Sequence, residues 1–387
     1  MNELRRKIEG EILERGPIPF SSYMEICLYD LELGYYSRKA AQFGKAGDFY
    51  TSSDVHAVFG RLLARQFEEM WRMLGSPVQI VIRELGPGRG LFAQDVLDWS
   101  EKKFPDFFRA LRYDLVEQSV ALRARLEETL KRHIESGKAL IETSGAKAQY
   151  SRGLIGATEV VPFQSVHTIV FANELFDAIP VEIVSHRGSL RIDSRNGRFV
   201  ETWTSPSAEE LEFLDRYSIH PEEEERVEVT LLAQREMLSA CEIERGFVVV
   251  IDYGYTREEQ LAGRHRGTVK AIRQHSVSAN PYEAPGEQDI TADVNFTALA
   301  AVAEKQGLRA QKLITQSQFL MGIGEANQFA DAFEECCLPQ ERAKVALQLK
   351  HLVTPAGMGE SFHVLVASKP VDAEKASGLS GLGFGRR

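Results

Sequence analysis

Apolar positions recur at helical spacing through the first part of the chain and in short unbroken runs after it. Leu4, Ile8, Ile12 and Leu13 lie three to four residues apart, and Gly16-Pro17 ends the helix they predict. Tyr23, Met24, Cys27 and Leu28 predict a second helix, and Phe59, Leu62, Leu63, Phe67 and Met70 form a strong stripe on a third. Gly44 to Ser53, between them, reads as a loop. From about residue 78 the period changes. VQIVIRELG is nearly all apolar, as a strand buried on both faces would be. It runs into Gly86-Pro87-Gly88-Arg89-Gly90 and then the helical LFAQDVLDWSEKK. RYDLVEQ reads as a second strand, residues 119–135 as a helix with Leu122, Leu126 and Leu130 on one face, and HTIVFANE as a third strand. Strand–helix alternation of this kind predicts an α/β fold with a doubly wound, Rossmann-like sheet.

Beyond residue 182 polar and apolar residues alternate (EIVSHRGSLRIDSRNGRFVETW), with Gly188 and Asn196-Gly197 as turn signals, which predicts two or three antiparallel strands. Residues 206–241 read as helical and acidic. GFVVVIDYG and TVKAIRQH return to strands, followed by a helix over 292–306, a strand near 308–315, a helix over 339–352 and a last strand in SFHVLVASK. The expected organisation is an N-terminal helical cap with a site-covering loop (1–75), a core (76–186 and 246–370), an inserted acidic α+β subdomain (187–245) and a disordered Gly/Ser-rich tail (371–387).

Composition narrows the function. With 43% apolar and 26% charged residues, the chain has enough apolar surface for a folded core. Its formal charge of −10 repels phosphate, which argues against nucleic acid as a partner. Much of that charge falls between Ser205 and Glu228, where nine acids face two bases. Such a stretch is a solvated face or an electrostatic guide for a basic substrate. No apolar run reaches the roughly 18 residues of a membrane span. The first 16 residues lack an apolar signal core and contain four glutamates, so the expectation is a cytoplasmic chain without signal or transit peptide. Cys27, Cys241, Cys336 and Cys337 have neither CxxC nor zinc spacing, and no metal is expected.

The glycine loop carries the most chemistry. Glycines after a first strand let backbone approach a ligand, and the following helix presents free amides and its positive dipole end. Nicotinamide and flavin folds favour GxGxxG; here the third glycine comes one position early, and Glu84 precedes the loop. That arrangement resembles the first motif of S-adenosylmethionine-dependent methyltransferases. Their cofactor has a cationic methionine end, suited to a carboxylate, and a ribose whose hydroxyls suit an acid after the second strand, where Glu117 stands. Asn173-Glu174-Leu175-Phe176-Asp177 follows the third apolar strand. Two carboxylates and an amide at that edge suit a cationic or amide substrate.

Taken together, GPIPFSSYM (16–24), LYDLELGYYS (28–37), GDFYTS (47–52), ELGPGRG (84–90), VEQS (116–119), NELFDAIPV (173–181), IDYGY (251–255), PGEQDIT (285–291) and MGESFHVLVASK (358–369) resemble the MidA family over roughly residues 4–369. Leu31 and Ser53 stand where that family commonly has proline. The family includes a mitochondrial complex I assembly factor that methylates protein arginine. The resemblance implies a Rossmann-like methyltransferase core with S-adenosyl-L-methionine over Glu84, Gly86, Pro87, Gly88 and Gly90, its ribose at Glu117 and Gln118, with Asn173 and Thr51 also in contact. For an arginine acceptor, Glu174, Asp177 and Asn173 are the expected catalytic group. Phe49, Tyr50, Asp252, Tyr253 and Asp289 are the expected substrate contacts. The implied partner is a protein, such as a complex I subunit; the oligomeric state stays open, a homodimer being one option. Two other readings stand beside this one: a non-catalytic assembly factor that keeps the pocket, and a small-molecule methyltransferase.

Overall fold

The structure is a computed structural model that describes residues 2–38, 57–142, 167–273, 276–278, 280–325, 327–355, 357–371 and 373–384. Phe49, Tyr50 and Thr51 lie outside the described residues.

The apolar runs do form one central sheet. Its main strands are β1 (Ile80–Leu85), β2 (Leu111–Val116), β3 (Ala139–Glu142), β4 (His167–Asn173), β5 (Arg245–Tyr255), β6 in two short pieces (Arg309–Ala310 and Ile314–Thr315) and β7 (Phe362–Lys369). Across the sheet they run β3-β2-β1-β4-β5-β7-β6. The first five are parallel, and β7 is antiparallel to its neighbours. Both faces are covered, which is why the strands read as unbroken apolar runs. Ile169 and Phe171 pack with Phe67, Phe92 and Leu97 on one face, and Val170 and Ala172 pack with Met237 and Leu299 on the other. Phe92 stacks on Phe171 with centroids 4.6 Å apart.

The chain steps outward from β1 to β3 and then crosses back to place β4 on the other side of β1. Ligands bind in such sheets at this reversal, outside the carboxyl ends of the strands. Leu85 pairs with Val116 and Ala172, and Ile251 pairs with Asn173. Gly86, Glu117 and Glu174 therefore leave the sheet side by side, next to Asp252, which is still within β5.

Several expectations need correction. The N-terminal helices Glu3–Arg15 and Phe20–Tyr29 do not form a separate cap: Ile18–Pro19 pairs with the hairpin strand Gly188–Arg195, placing Ile18 opposite Ile192 in a five-stranded antiparallel sheet. Leu4, Ile8, Phe20 and Leu28 bury against Ile183, Leu190 and Ile192 of that sheet. Helix Ala57–Met73, expected in the cap, packs in the core against Phe92 and Phe171. The acidic segment is not helical throughout, since Arg226–Val229 is a strand paired with Glu182–Ser185. TVKAIRQH does supply a strand, Lys270–Arg273, but in a small separate sheet with Asp289–Thr291.

The tail also departs from expectation. Residues 373–384 dock on the core: Leu379 and Leu382 join its apolar cluster, Glu69 accepts from the amide and hydroxyl of Ser380, and Gln66 accepts from the amide of Gly381. Apolar residues between the glycines give the tail a surface to bury, which its Gly/Ser content conceals. In the acidic segment Glu210 and Glu228 are buried, and Glu209, Glu212 and Glu225 pair with Arg235, Arg216 and Arg266. Among the described residues, the exposed acids of this stretch with no lysine or arginine on the carboxylate are Asp215, Glu222, Glu223 and Glu224.

Candidate active site at the carboxyl edge of the sheet

The three loop glycines have different jobs. All have left-handed backbone, with φ of 65°, 56° and 76° at Gly86, Gly88 and Gly90. A Cβ on Gly86 would lie 2.8 Å from Leu175 Cδ1, and one on Gly90 would lie 2.6 Å from Leu126 Cδ2. These two glycines allow the loop to pack against protein. A Cβ on Gly88 meets nothing within 4 Å, so Gly88 is the one that presents bare backbone to open space. The helix Leu91–Lys103 starts directly after Gly90.

Glu117 stands beside this loop and is buried. Its Oε1 accepts from the Ser119 amide at 2.9 Å, and Arg123 Nη1 braces the turn by donating to the carbonyls of Glu117 and Gln118. Burial pushes the Glu117 carboxyl up to about 7, against the pull of the Ser119 and Gly88 amides. Gln118 Nε2 is buried without a hydrogen-bond partner. A diol and a heterocycle would satisfy such donors and acceptors, so these residues fit the nucleoside part of S-adenosylmethionine.

Glu84 is placed differently from the expectation that it meets the cofactor. It is buried in the sheet, and its Oε2 accepts from the Tyr113 hydroxyl at 2.8 Å. Burial raises its carboxyl to about 8, despite the Tyr113 hydrogen bond. A group with a folded-state pKa above its unfolded value holds more protons when folded. Its contribution to stability is present below pH 4.5 and is lost as pH rises through 8, by at most about 1.4 kcal/mol per unit. Glu84→Gln has no such slope. The melting temperature of this variant relative to wild type is expected to climb between pH 4.5 and 8. A constant difference would show that Glu84 is ionised throughout.

On the other side of β1, Glu174 has a left-handed backbone (φ 50°), which costs a non-glycine residue about 1–2 kcal/mol. The neighbouring strand holds it there, for the Glu174 amide donates to the Ile251 carbonyl at 3.0 Å. Asn173 Nδ2 donates to Glu174 Oε1 at 3.1 Å, and Asn173 Oδ1 is buried without a partner. Asp177 sits in the short 3-10 turn Phe176–Ala178 and is 4% exposed. Its Oδ2 accepts from the Tyr253 hydroxyl, and its Oδ1 is buried without a hydrogen-bond partner. Burial raises Asp177 to about 6 against the Tyr253 hydrogen bond.

Asp252, expected as a substrate contact, is built as an anchor of the turn. It is 0% exposed; its Oδ2 accepts from the amides of Leu175, Phe176 and Asp177 at 3.2, 2.9 and 3.3 Å, and its Oδ1 accepts from the Tyr253 amide. Burial, then the charges of Asp177 and Glu174, hold its carboxyl well above the usual range. Asp289 is buried and accepts from the Tyr36 hydroxyl at 3.0 Å. Tyr29 donates to the Ala178 carbonyl at 3.0 Å. Tyr29, Tyr36, Tyr113 and Arg123 were not among the expected site residues. The first two stand in the LYDLELGYYS motif, whose paired tyrosines were the available signal.

One edge of the sheet thus carries a glycine loop, a ribose-suited carboxylate and a carboxylate-rich turn. The profile of family 28 of the S-adenosyl-L-methionine-dependent methyltransferases matches residues 62–314. The mitochondrial protein arginine methyltransferase NDUFAF7 homolog of Drosophila melanogaster is 30% identical over 94% of this chain and 84% of its own. The human protein arginine methyltransferase NDUFAF7 is 25% identical over 92% of this chain and 81% of its own. A solved structure from Burkholderia thailandensis, bound to S-adenosyl-homocysteine, superposes with a TM-score of 0.80 at 27% identity, covering 96% of this chain and 92% of that one. The glycine-loop geometry and these likenesses agree on the cofactor and the reaction class: the chain belongs to the S-adenosyl-L-methionine-dependent methyltransferases of this family.

Proposed function

We propose that this enzyme is a protein arginine N-methyltransferase whose acceptor is a protein, by its resemblance a subunit of respiratory complex I, and that it works in the cytoplasm. The observation that carries the reading is that Asn173 ends, and Glu174 follows, the strand paired with the one leading into the glycine loop, with Leu175 packed at Gly86. S-adenosylmethionine supplies an electrophilic methyl group there. The protein has to hold an acceptor nitrogen in line, with reacting atoms about 3–3.5 Å apart. It also has to take the proton which that nitrogen loses. Arginine stays protonated near neutral pH, so carboxylates are needed to orient the fork and localise its charge. Glu174 and Asp177 are assigned that task, and an Asp177 carboxyl raised to about 6 can serve as proton acceptor.

The test is transfer of labelled methyl groups from S-adenosylmethionine into a cell extract by the purified chain. A labelled band that protease removes is expected, and its mass spectrum should place the methyl on arginine. Glu174→Ala should lose transfer and keep cofactor affinity. A protease-resistant label would replace this reading with a small-molecule methyltransferase. No label, with cofactor binding intact, would replace it with an assembly factor.

A further inference from the structure

We propose that Asp177 and Asp289 together form the seat of the acceptor guanidinium, and that Tyr36 is the positioning residue that completes the seat from the N-terminal segment. This rests on the arginine reading above and adds Asp289 to the carboxylates, Glu174 and Asp177, assigned there.

Each carboxylate has one oxygen held by a phenol. Tyr253 donates to Asp177 Oδ2, and Tyr36 donates to Asp289 Oδ1 at 3.0 Å. Tyr36 bonds Asp289 directly, and its ring packs beside Tyr29, which bonds the turn that bears Asp177. Backbone ties them as well, because the Ala292 amide donates to the Asp177 carbonyl at 2.9 Å, just after the strand that carries Asp289.

Asp177 Oδ1 points to a ligand. It is buried and makes no hydrogen bond, and among the described residues no lysine or arginine pairs with Asp177. The nearby cation Lys270 is turned to Asp293, 3.4 Å away, with its Nζ 6.0 Å from the Tyr253 ring centre. A buried carboxylate oxygen without a donor is costly, and a forked cation removes that cost. Guanidinium presents several coplanar N–H groups to two carboxylates at once, whereas an ammonium presents a point charge. The Tyr29 and Tyr36 rings pack with centroids 5.3 Å apart at a 33° tilt, and Tyr29 also holds the Ala178 carbonyl. The N-terminal segment is thus fastened to the turn that bears Asp177.

The experiment measures binding of N-acetyl-arginine amide and N-acetyl-lysine amide to the full chain saturated with S-adenosyl-homocysteine. Wild type should bind the arginine probe and discriminate against lysine by about tenfold or more. Asp177→Asn and Asp289→Asn should each weaken arginine binding by at least about tenfold, with S-adenosyl-homocysteine affinity and melting temperature retained. For transfer to an arginine-bearing peptide, Tyr36→Phe should raise KM about fivefold or more and leave kcat within about twofold. If Asp177→Asn does not fold, Asp289→Asn and Tyr36→Phe carry the same test. Wild-type binding that is unchanged in these variants, or equal affinity for the lysine probe, overturns the seat. Failure of wild type to bind the arginine probe overturns the arginine reading itself, and the seat with it.

Discussion

Gly88→Asp should abolish S-adenosylmethionine binding, lowering affinity by more than about a hundredfold, or about 2.7 kcal/mol, in isothermal titration. Its fold should survive. The three loop glycines share a left-handed backbone, so substituting any of them adds about 1–2 kcal/mol of strain. Only at Gly88 does the new side chain meet open space rather than protein. The aspartate would then project where the cofactor has to lie, beside Glu117, whose burial already disfavours a second negative charge. Gly90→Ala makes the contrast. Its methyl group would press on Leu126 and Leu130, so its main loss should be in melting temperature. Cofactor affinity of Gly88→Asp within about threefold of wild type would remove Gly88 from the cofactor cradle.

Asp252→Ala should be the most destabilising single change at the site. It removes the acceptor of the buried amides of Leu175, Phe176 and Asp177 and of the half-buried amide of Tyr253. Each orphaned donor costs about 1–3 kcal/mol, so a loss of at least about 3 kcal/mol is expected in denaturant unfolding. Asp252→Asn keeps an oxygen for the three turn amides and loses the Tyr253 bond, for about 1 kcal/mol. It also removes repulsion toward Asp177 and Glu174, which offsets part of that cost. Methyl transfer by Asp252→Ala should fall further than its folded fraction, since this turn sets where Asp177 points. Equal stability of the alanine and asparagine variants would show that the amides find other partners and that Asp252 is not the anchor.

What the sequence determined by itself was the core and the edge that carries chemistry. Burial on both faces makes a strand read as an unbroken apolar run. The residues just after such runs, Gly86–Gly90, Glu117 and Asn173–Asp177, were therefore legible as neighbours at one edge of the sheet before their register was known. Tertiary structure decided the division of labour within it. Which glycine faces the ligand depends on Leu175 and Leu126, and neither contact leaves a local pattern. Asp252 reads from sequence as one more acid after a strand; only the pairing of β5 with β4 puts it beneath the turn amides. Tyr36 reaches Asp289 across 253 positions of chain because the N-terminal segment adds a strand to the inserted sheet. The docked tail has the same origin. Composition suggested disorder, but Leu379 and Leu382 find an apolar surface on the folded core. Local patterning reports which side of an element is buried. The partner each buried polar atom meets is set by strand order and by how distant segments dock.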